Sequence, residues 1–525
     1  MKCPKVHRFN STELRYICVS LFLFGVFFLA IVPFYGQAGK TKINRTVADS
    51  RAAEVTASQR GLAGRALTAF SAGTAAIAAD QERKLEPGLA PTPPMGWNSF
   101  DAYWTIVTEP QVKATADYMA AHLFRYGYNY VVIDGRWQQA DPVRFPLQGD
   151  AKNAVEVTLD EYGRFVPAPN RFPSAANGEG FKPIGDYIHS KGLKFGIHIM
   201  RGIPRLAVQK NLPILGTDAH AQDVALTNNT CGWSRAMYGV DVSKPAGQAY
   251  YDSIVAMYAQ WGVDFIKADD MTRGENPAGE TYHGPEIVAL GRAIEKVGRP
   301  IVLSLSPGPT DPVHAEEVGQ SAHMWRISND FWDTWRQLKE QFSLCRPWVG
   351  HIGPDHWPDL DIIALGPIRV KGYPLGRGGI TLPPQTRLTP AEQLTEMTLW
   401  SIFRSPLMIG TDLLSIDPTT LALLTNTEVL AVDQKSTNNR ELFARGDDIA
   451  WAADIPGTNE RYLAVFNLGD GGPAVVDVAW NDLGLKGKCA VRDLWQKKNL
   501  GTVEDHFAPK VEAHGAGLYR IKPVK

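Results

Sequence analysis

From residue 89 to about residue 430, short runs of strand-forming residues alternate with longer segments of helical period, a rhythm that few folds accept. The runs predict strands over Tyr128–Asp134, Lys194–Ile199, Asp264–Asp269, Ile301–Ser306, Met324–Ser328 and Pro406–Gly410. Between them the pattern predicts helices over Glu109–Leu123, Phe181–Lys191, Gly247–Trp261, Gly284–Val297, Phe331–Phe342 and Pro390–Phe403. Parallel strands need crossover connections, so this alternation implies an α/β chain with a parallel sheet. Roughly eight units over about 340 residues fit a (β/α)8 TIM barrel with loop insertions. An open doubly wound sheet is the alternative, but no Gly-rich phosphate fingerprint follows a strand. After about residue 435 the helical periods stop. Ile449–Ala453, Tyr462–Asn467, Ala474–Asp477, Cys489–Asp493 and Gly517–Ile521 read as strands of a small C-terminal antiparallel β-sandwich, residues 435–525.

What precedes the barrel is of another kind. Lys2, Lys5, Arg8 and Arg15 lead into an almost wholly apolar run, Ile17 to Tyr35, and Gly36-Gln37-Ala38 offers small residues for cleavage. Residues 1–38 thus read as a secretory signal or an uncleaved signal-anchor. Residues 39–88, rich in Ala, Gly, Ser and Thr, read as a spacer. The expectation is a secreted or periplasmic protein, touching a membrane only if the leader stays attached. A net charge of −1 gives no support to a nucleic-acid partner. Cys231, Cys345 and Cys489 are scattered, without CxxC or zinc-ligand spacing, so neither a disulfide framework nor a zinc site is expected.

Polar residues gather where the candidate strands end. They include Asp134 with Trp137, His198 with Arg201, Lys267 with Asp269 and Asp270, Ser304 with Ser306, Arg326 with Asp330, and Asp359 with Asp361. In a parallel barrel these tips share one rim and describe a pocket. Aspartates, cations and tryptophans suit a polyhydroxy ligand, since charged groups bond hydroxyls and indoles pack on sugar C–H faces. Two carboxyls across such a pocket can cleave a glycosidic bond if one stays ionised and the other carries a proton. Asp269 lies two residues after Lys267, on the same strand face, and a nearby ammonium favours its carboxylate. Asp330, near Trp325, Phe331 and Trp332, has an apolar sequence environment that would raise its carboxyl, while Arg326 pulls the other way.

The chain resembles glycoside hydrolase family 27, the α-galactosidase (melibiase) family, over about residues 91–425 and into the β domain. The residues that carry the resemblance are Pro94-Met-Gly-Trp-Asn-Ser-Phe100, Tyr130-Val-Val-Ile-Asp134 with Trp137, Gly192–Ile197, Trp261–Asp269, Arg326–Asp330 with Trp335, Trp357–Asp361 and Ser405–Met408. It implies a retaining exo-glycosidase that releases terminal α-D-galactosyl residues from an oligosaccharide or polysaccharide, with no metal or other cofactor. Asp269 would be the nucleophile and Asp330 the acid/base. Trp97, Asp134, Trp137, His198, Lys267, Ser306, Arg326 and Asp361 would bind the sugar.

Three departures from the family pattern bear on specificity. The second strand usually ends in two Asp that grip the 4- and 6-hydroxyls, but here Asp134 is followed by Gly135. A bulky Glu usually meets the 2-hydroxyl where this chain has Ser306, leaving room for a 2-acetamido group. Met271 replaces a Cys, so the bridge beside the site is missing and Cys231 is expected to be free. Alternatives on the same scaffold are β-L-arabinopyranosidase, α-N-acetylgalactosaminidase and isomaltodextranase-like activities. Outside that class stand a non-catalytic sugar-binding protein and a metal-dependent lyase using Asp269, Asp270 and Asp361.

Overall fold

The computed structural model describes residues 87–142, 157–234, 236–272, 282–369 and 383–524. The expected leader, and all of the spacer but its last two residues, lie outside them. Eight short strands run parallel in one curled sheet: β1 (Met95–Asn98), β2 (Tyr130–Ile133), β3 (Lys194–Met200), β4 (Phe265–Asp269), β5 (Val302–Leu305), β6 (Met324–Arg326), β7 (Trp357–Asp359) and β8 (Leu407–Ile409). Their order is β7-β6-β5-β4-β3-β2-β1-β8. A parallel bridge between Ile363 and Ile409 joins the two ends, which closes the (β/α)8 barrel. β2 (YVVI) is a continuous apolar run and β5 (VLSL) nearly so, with every residue buried, because side chains and helices cover both faces. β1 and β2 approach closely: a Cβ on Gly96 would lie 2.5 Å from the Tyr130 carbonyl oxygen.

The helices begin and end where their caps dictate. Thr108 and Gln111 form a capping box before the helix Glu109–His122, and Thr389 and Glu392 form one before Pro390–Phe403. Gly298, at φ 66°, stops the helix Gly284–Val297. The helix expected over Phe331–Phe342 instead runs Trp335–Cys345. The Thr334 side chain caps it, while Asp333 is pinned by Arg369 and Arg387, which leaves residues 331–334 as a loop beside Asp330. After β3 the chain makes an excursion that includes a three-stranded antiparallel sheet, Ile203–Pro204, Met237–Val240 and Ala225–Thr230.

The C-terminal domain is built on six antiparallel strands in the spatial order Thr437–Arg445, Asp448–Asp454, Arg461–Asn467, Ala516–Pro523, Lys488–Asp493 and Lys498–Glu504. Alternation divides their side chains between two cores. Ala450, Ala452, Leu463 and Val465 face Val476, Val478 and Trp480. Trp451, Ala464 and Phe466 join the barrel core, with Trp451 edge-on to Phe403 and Phe466 edge-on to Phe342. Cys231 is free and buried, as expected, and Cys345 and Cys489 are free and buried as well. Among the described residues no helix is long and apolar enough to cross a membrane.

Candidate active site

The C-terminal strand ends surround a cavity of about 270 Å³. Asp134, His198, Lys267, Asp269, Ser306, Arg326, Asp330 and Asp361 all line it. Trp97 and Trp137, expected to touch the sugar, do not. Both are fully buried: the Trp97 indole donates to the Thr411 carbonyl, and that of Trp137 to the His198 carbonyl. They support the wall rather than form it.

Strand register assembles the centre. His198 on β3 pairs with Lys267 on β4, which brings the imidazole to Asp269: His198 Nε2 lies 3.1 Å from Asp269 Oδ2. The Asp270 backbone N–H donates to Asp269 Oδ1 at 2.8 Å. Burial pushes the Asp269 carboxyl up, but the His198 hydrogen bond and the charges of His198 and Lys267 outweigh it and hold the group below its ordinary range. Lys267 itself reaches across to Asp134, Nζ to Oδ2 at 2.9 Å, and Asn98 donates to the same oxygen at 2.7 Å. Burial opposes the Asp134 charge, yet Lys267, His198, the Gly135 N–H and Asn98 keep it well below the usual carboxylate range. The direct partner of Asp269 is therefore the imidazole, not the lysine.

On the opposite wall Arg326 is 2% exposed and holds two acids, Asp361 at 2.7 Å and Asp330 at 3.3 Å. The Phe331 N–H donates to the second oxygen of Asp361 at 2.7 Å. The Asp330 side chain is 62% exposed at the mouth, so it is not buried in the apolar surround expected from sequence. Phe100, Trp104 and Trp332 form an aromatic rim beside it, with ring centroids 4.5 to 6.2 Å apart.

Arg201, read as a pocket residue, turns away. It binds Asp270 Oδ2 at 2.8 Å and Glu286 Oε1 at 2.5 Å, and Tyr251 donates to the other oxygen of Glu286. Its backbone N–H donates to the Asp269 carbonyl at 3.0 Å. Asp270, at φ 63°, thus belongs to a buried clamp behind the cavity, and Glu286 is no surface group. Met200, the last residue of β3, and Trp233, from the excursion, line the cavity, as do Asp101, Gln138 and Gln139, which the sequence reading missed. Asp101 stands one residue beyond the motif ending at Phe100, in a helical turn that no periodicity announces.

Two carboxyls, one held ionised by an imidazole and one open at the mouth beside an aromatic rim, suit displacement at a sugar carbon with protonation of the departing oxygen. Comparison with known proteins points the same way. The family model described as alpha galactosidase A matches residues 238–435, and the model of the alpha galactosidase C-terminal beta sandwich domain matches residues 446–521. An α-galactosidase of Coffea arabica is 29% identical over 446 residues, 84% of this chain and 96% of the relative. A GH27 β-L-arabinopyranosidase from Geobacillus stearothermophilus is 45% identical with a TM-score of 0.77, covering 83% of this chain and 98% of that one. A Bacillus halodurans protein provisionally named an α-N-acetylgalactosaminidase is 42% identical with a TM-score of 0.72, covering 82% and 97%.

Proposed function

The chain belongs to glycoside hydrolase family 27 and is an α-galactosidase-type glycoside hydrolase; within that type we propose that it removes terminal sugars of galacto ring stereochemistry with retention, the pentose β-L-arabinopyranose ahead of the hexose α-D-galactose. The two sugars share the ring and its hydroxyls and differ only in the C6 arm. The observation that carries the preference is Gly135. Where a second carboxylate would grip the 6-hydroxyl there is no side chain, and the atoms nearest an added Cβ would be those of the His198 ring, at 3.4 Å. A hexose finds space there but no partner from this position.

In this reading the Asp269 carboxylate attacks C1 as Asp330 passes its proton to the departing glycosidic oxygen. The C1–O bond breaks and a glycosyl ester forms on Asp269. Asp330, now a carboxylate, takes a proton from water as that water attacks C1 from the face the leaving group vacated; the C1–O bond to Asp269 breaks, its carboxylate is released and the original anomer is restored. Lys267, Asp134, Arg326 and Asp361 hold hydroxyls. The basic residues before Ile17 and the apolar run after it support export.

The test is kcat/KM on aryl β-L-arabinopyranoside against aryl α-D-galactoside. The expected ratio favours the arabinoside by roughly tenfold or more, the scale of one lost polar contact. A galactoside preference of that size would overturn the Gly135 argument, and no turnover of either would overturn the reading. A second reading rests on Ser306, a small residue on the cavity wall that leaves room for a 2-acetamido group. Turnover of an aryl 2-acetamido-2-deoxy-α-D-galactoside above both other substrates would favour it.

A further inference from the structure

Among the described residues, one acid of the cavity has no hydrogen-bond partner for its side chain. Asp134, Asp269, Asp330 and Asp361 each accept from a lysine, histidine, arginine or backbone N–H. Asp101 lines the same cavity and is 2% exposed, yet its Oδ2 is buried with no hydrogen-bond partner among the described residues. Leaving a buried carboxyl oxygen unpaired costs stability, and such a cost is tolerated where a ligand completes the site. That oxygen packs against Gly410, where a Cβ would lie 2.5 Å from it, so the carboxyl meets a ligand in the cavity through its other oxygen, Oδ1.

Asp101 follows β1, on the far side of the barrel from β4 and β5. A sugar with C1 at Asp269 on β4 therefore turns its opposite edge toward Asp101. In a six-membered ring the atom across from C1 is C4. We propose that Asp101 is a sugar-binding, specificity-determining residue that hydrogen-bonds the axial 4-hydroxyl of the terminal sugar. This rests on the reading of the cavity as a galacto-configured sugar site. Burial pushes the Asp101 carboxyl well above its ordinary range, and Asp361 and Asp134 add to this against Lys267. A protonated acid both donates and accepts, as a hydroxyl partner requires, and Asn mimics it.

The experiment measures kcat/KM and Tm for the full chain and for its Asp101→Ala and Asp101→Asn variants. The substrates are aryl β-L-arabinopyranoside, α-D-galactoside, 6-deoxy-α-D-galactoside and 4-deoxy-α-D-galactoside. Asp101→Ala is expected to lower kcat/KM on the first three by about ten- to a hundredfold, with little change on the 4-deoxy substrate. Asp101→Asn is expected to keep most activity. Tm should hold or rise in both, because no protein partner is lost. Equal losses on all four substrates, a loss confined to the 6-hydroxylated galactoside, or a fall in Tm that accounts for the lost activity would overturn the proposal. Failure of the unaltered protein to hydrolyse any of the four would instead overturn the function on which it rests.

Discussion

At the scale of single residues, the imidazole of His198 sets the state of Asp269. Burial alone would raise that carboxyl, and the His198 contact opposes burial most strongly. His198→Ala removes the opposition, so the Asp269 pKa rises. As the proposed nucleophile, Asp269 must be ionised, so the acidic limb of the kcat/KM profile is expected to move to higher pH, with a smaller loss on the neutral side. A limb that stays in place while activity falls evenly would assign His198 to sugar contact alone. Half of this centre was legible in the sequence. The spacing of Lys267 and Asp269 put both on one strand face, and both line the cavity. The pairing of Lys267 with Asp134 and of His198 with Asp269 crosses between strands, and depends on a register that periodicity does not specify. Asp101 was silent for a related reason: its one telling property, a missing partner, exists only once the chain is folded.

At the scale of elements, the buried strands and the amphipathic helices were read within a few residues, because burial imposes their patterns. The misses have physical causes. β1 (MGWN) and β7 (WPD) lie within motifs that carry the family resemblance but were not read as strands from their pattern, because Gly96 in one and Pro358 in the other are poor strand formers. Thr437–Arg445 and Lys498–Glu504 are the edge strands of the C-terminal sheet. They are largely exposed and polar, so their sequences, TNNRELFAR and KNLGTVE, carry no alternation. The loop at 331–334 reads as helix by pattern, but two arginines on Asp333 and a cap at Thr334 delay the helix. That delay frees Asp330 to stand at the mouth.

At the scale of the whole molecule, the barrel and the C-terminal sheet share one apolar core through the helix Pro390–Phe403. Glu396 on that helix is fully buried, with Oε1 accepting from the Ala364 N–H at 2.8 Å and Oε2 without a partner among the described residues. Burial pushes its carboxyl from 4.5 to about 8, against the Ala364 N–H and with a contribution from Asp333. Unfolded, the group releases its proton near the ordinary value; folded, it keeps the proton until about pH 8. Stability from this group is therefore full below the ordinary pKa and is lost as pH rises through that window, by up to about 1.4 kcal/mol per pH unit. Glu396→Gln keeps an acceptor for Ala364 and has no proton to lose, so its Tm should fall less than that of the unaltered chain between about pH 5 and pH 8. Parallel Tm curves would show that Glu396 is not the linked group.

The central claim is double displacement through Asp269 and Asp330, and the anomer of a trapped product tests it most directly. Asp269→Ala and Asp330→Ala would each be given an activated aryl glycoside with azide, and the glycosyl azide configuration read by NMR. In Asp269→Ala, azide takes the place of the missing nucleophile, and the account predicts the inverted azide. In Asp330→Ala, azide attacks the Asp269 ester, and the account predicts the retained one. The same anomer from both variants, or the two exchanged, would contradict the assignment.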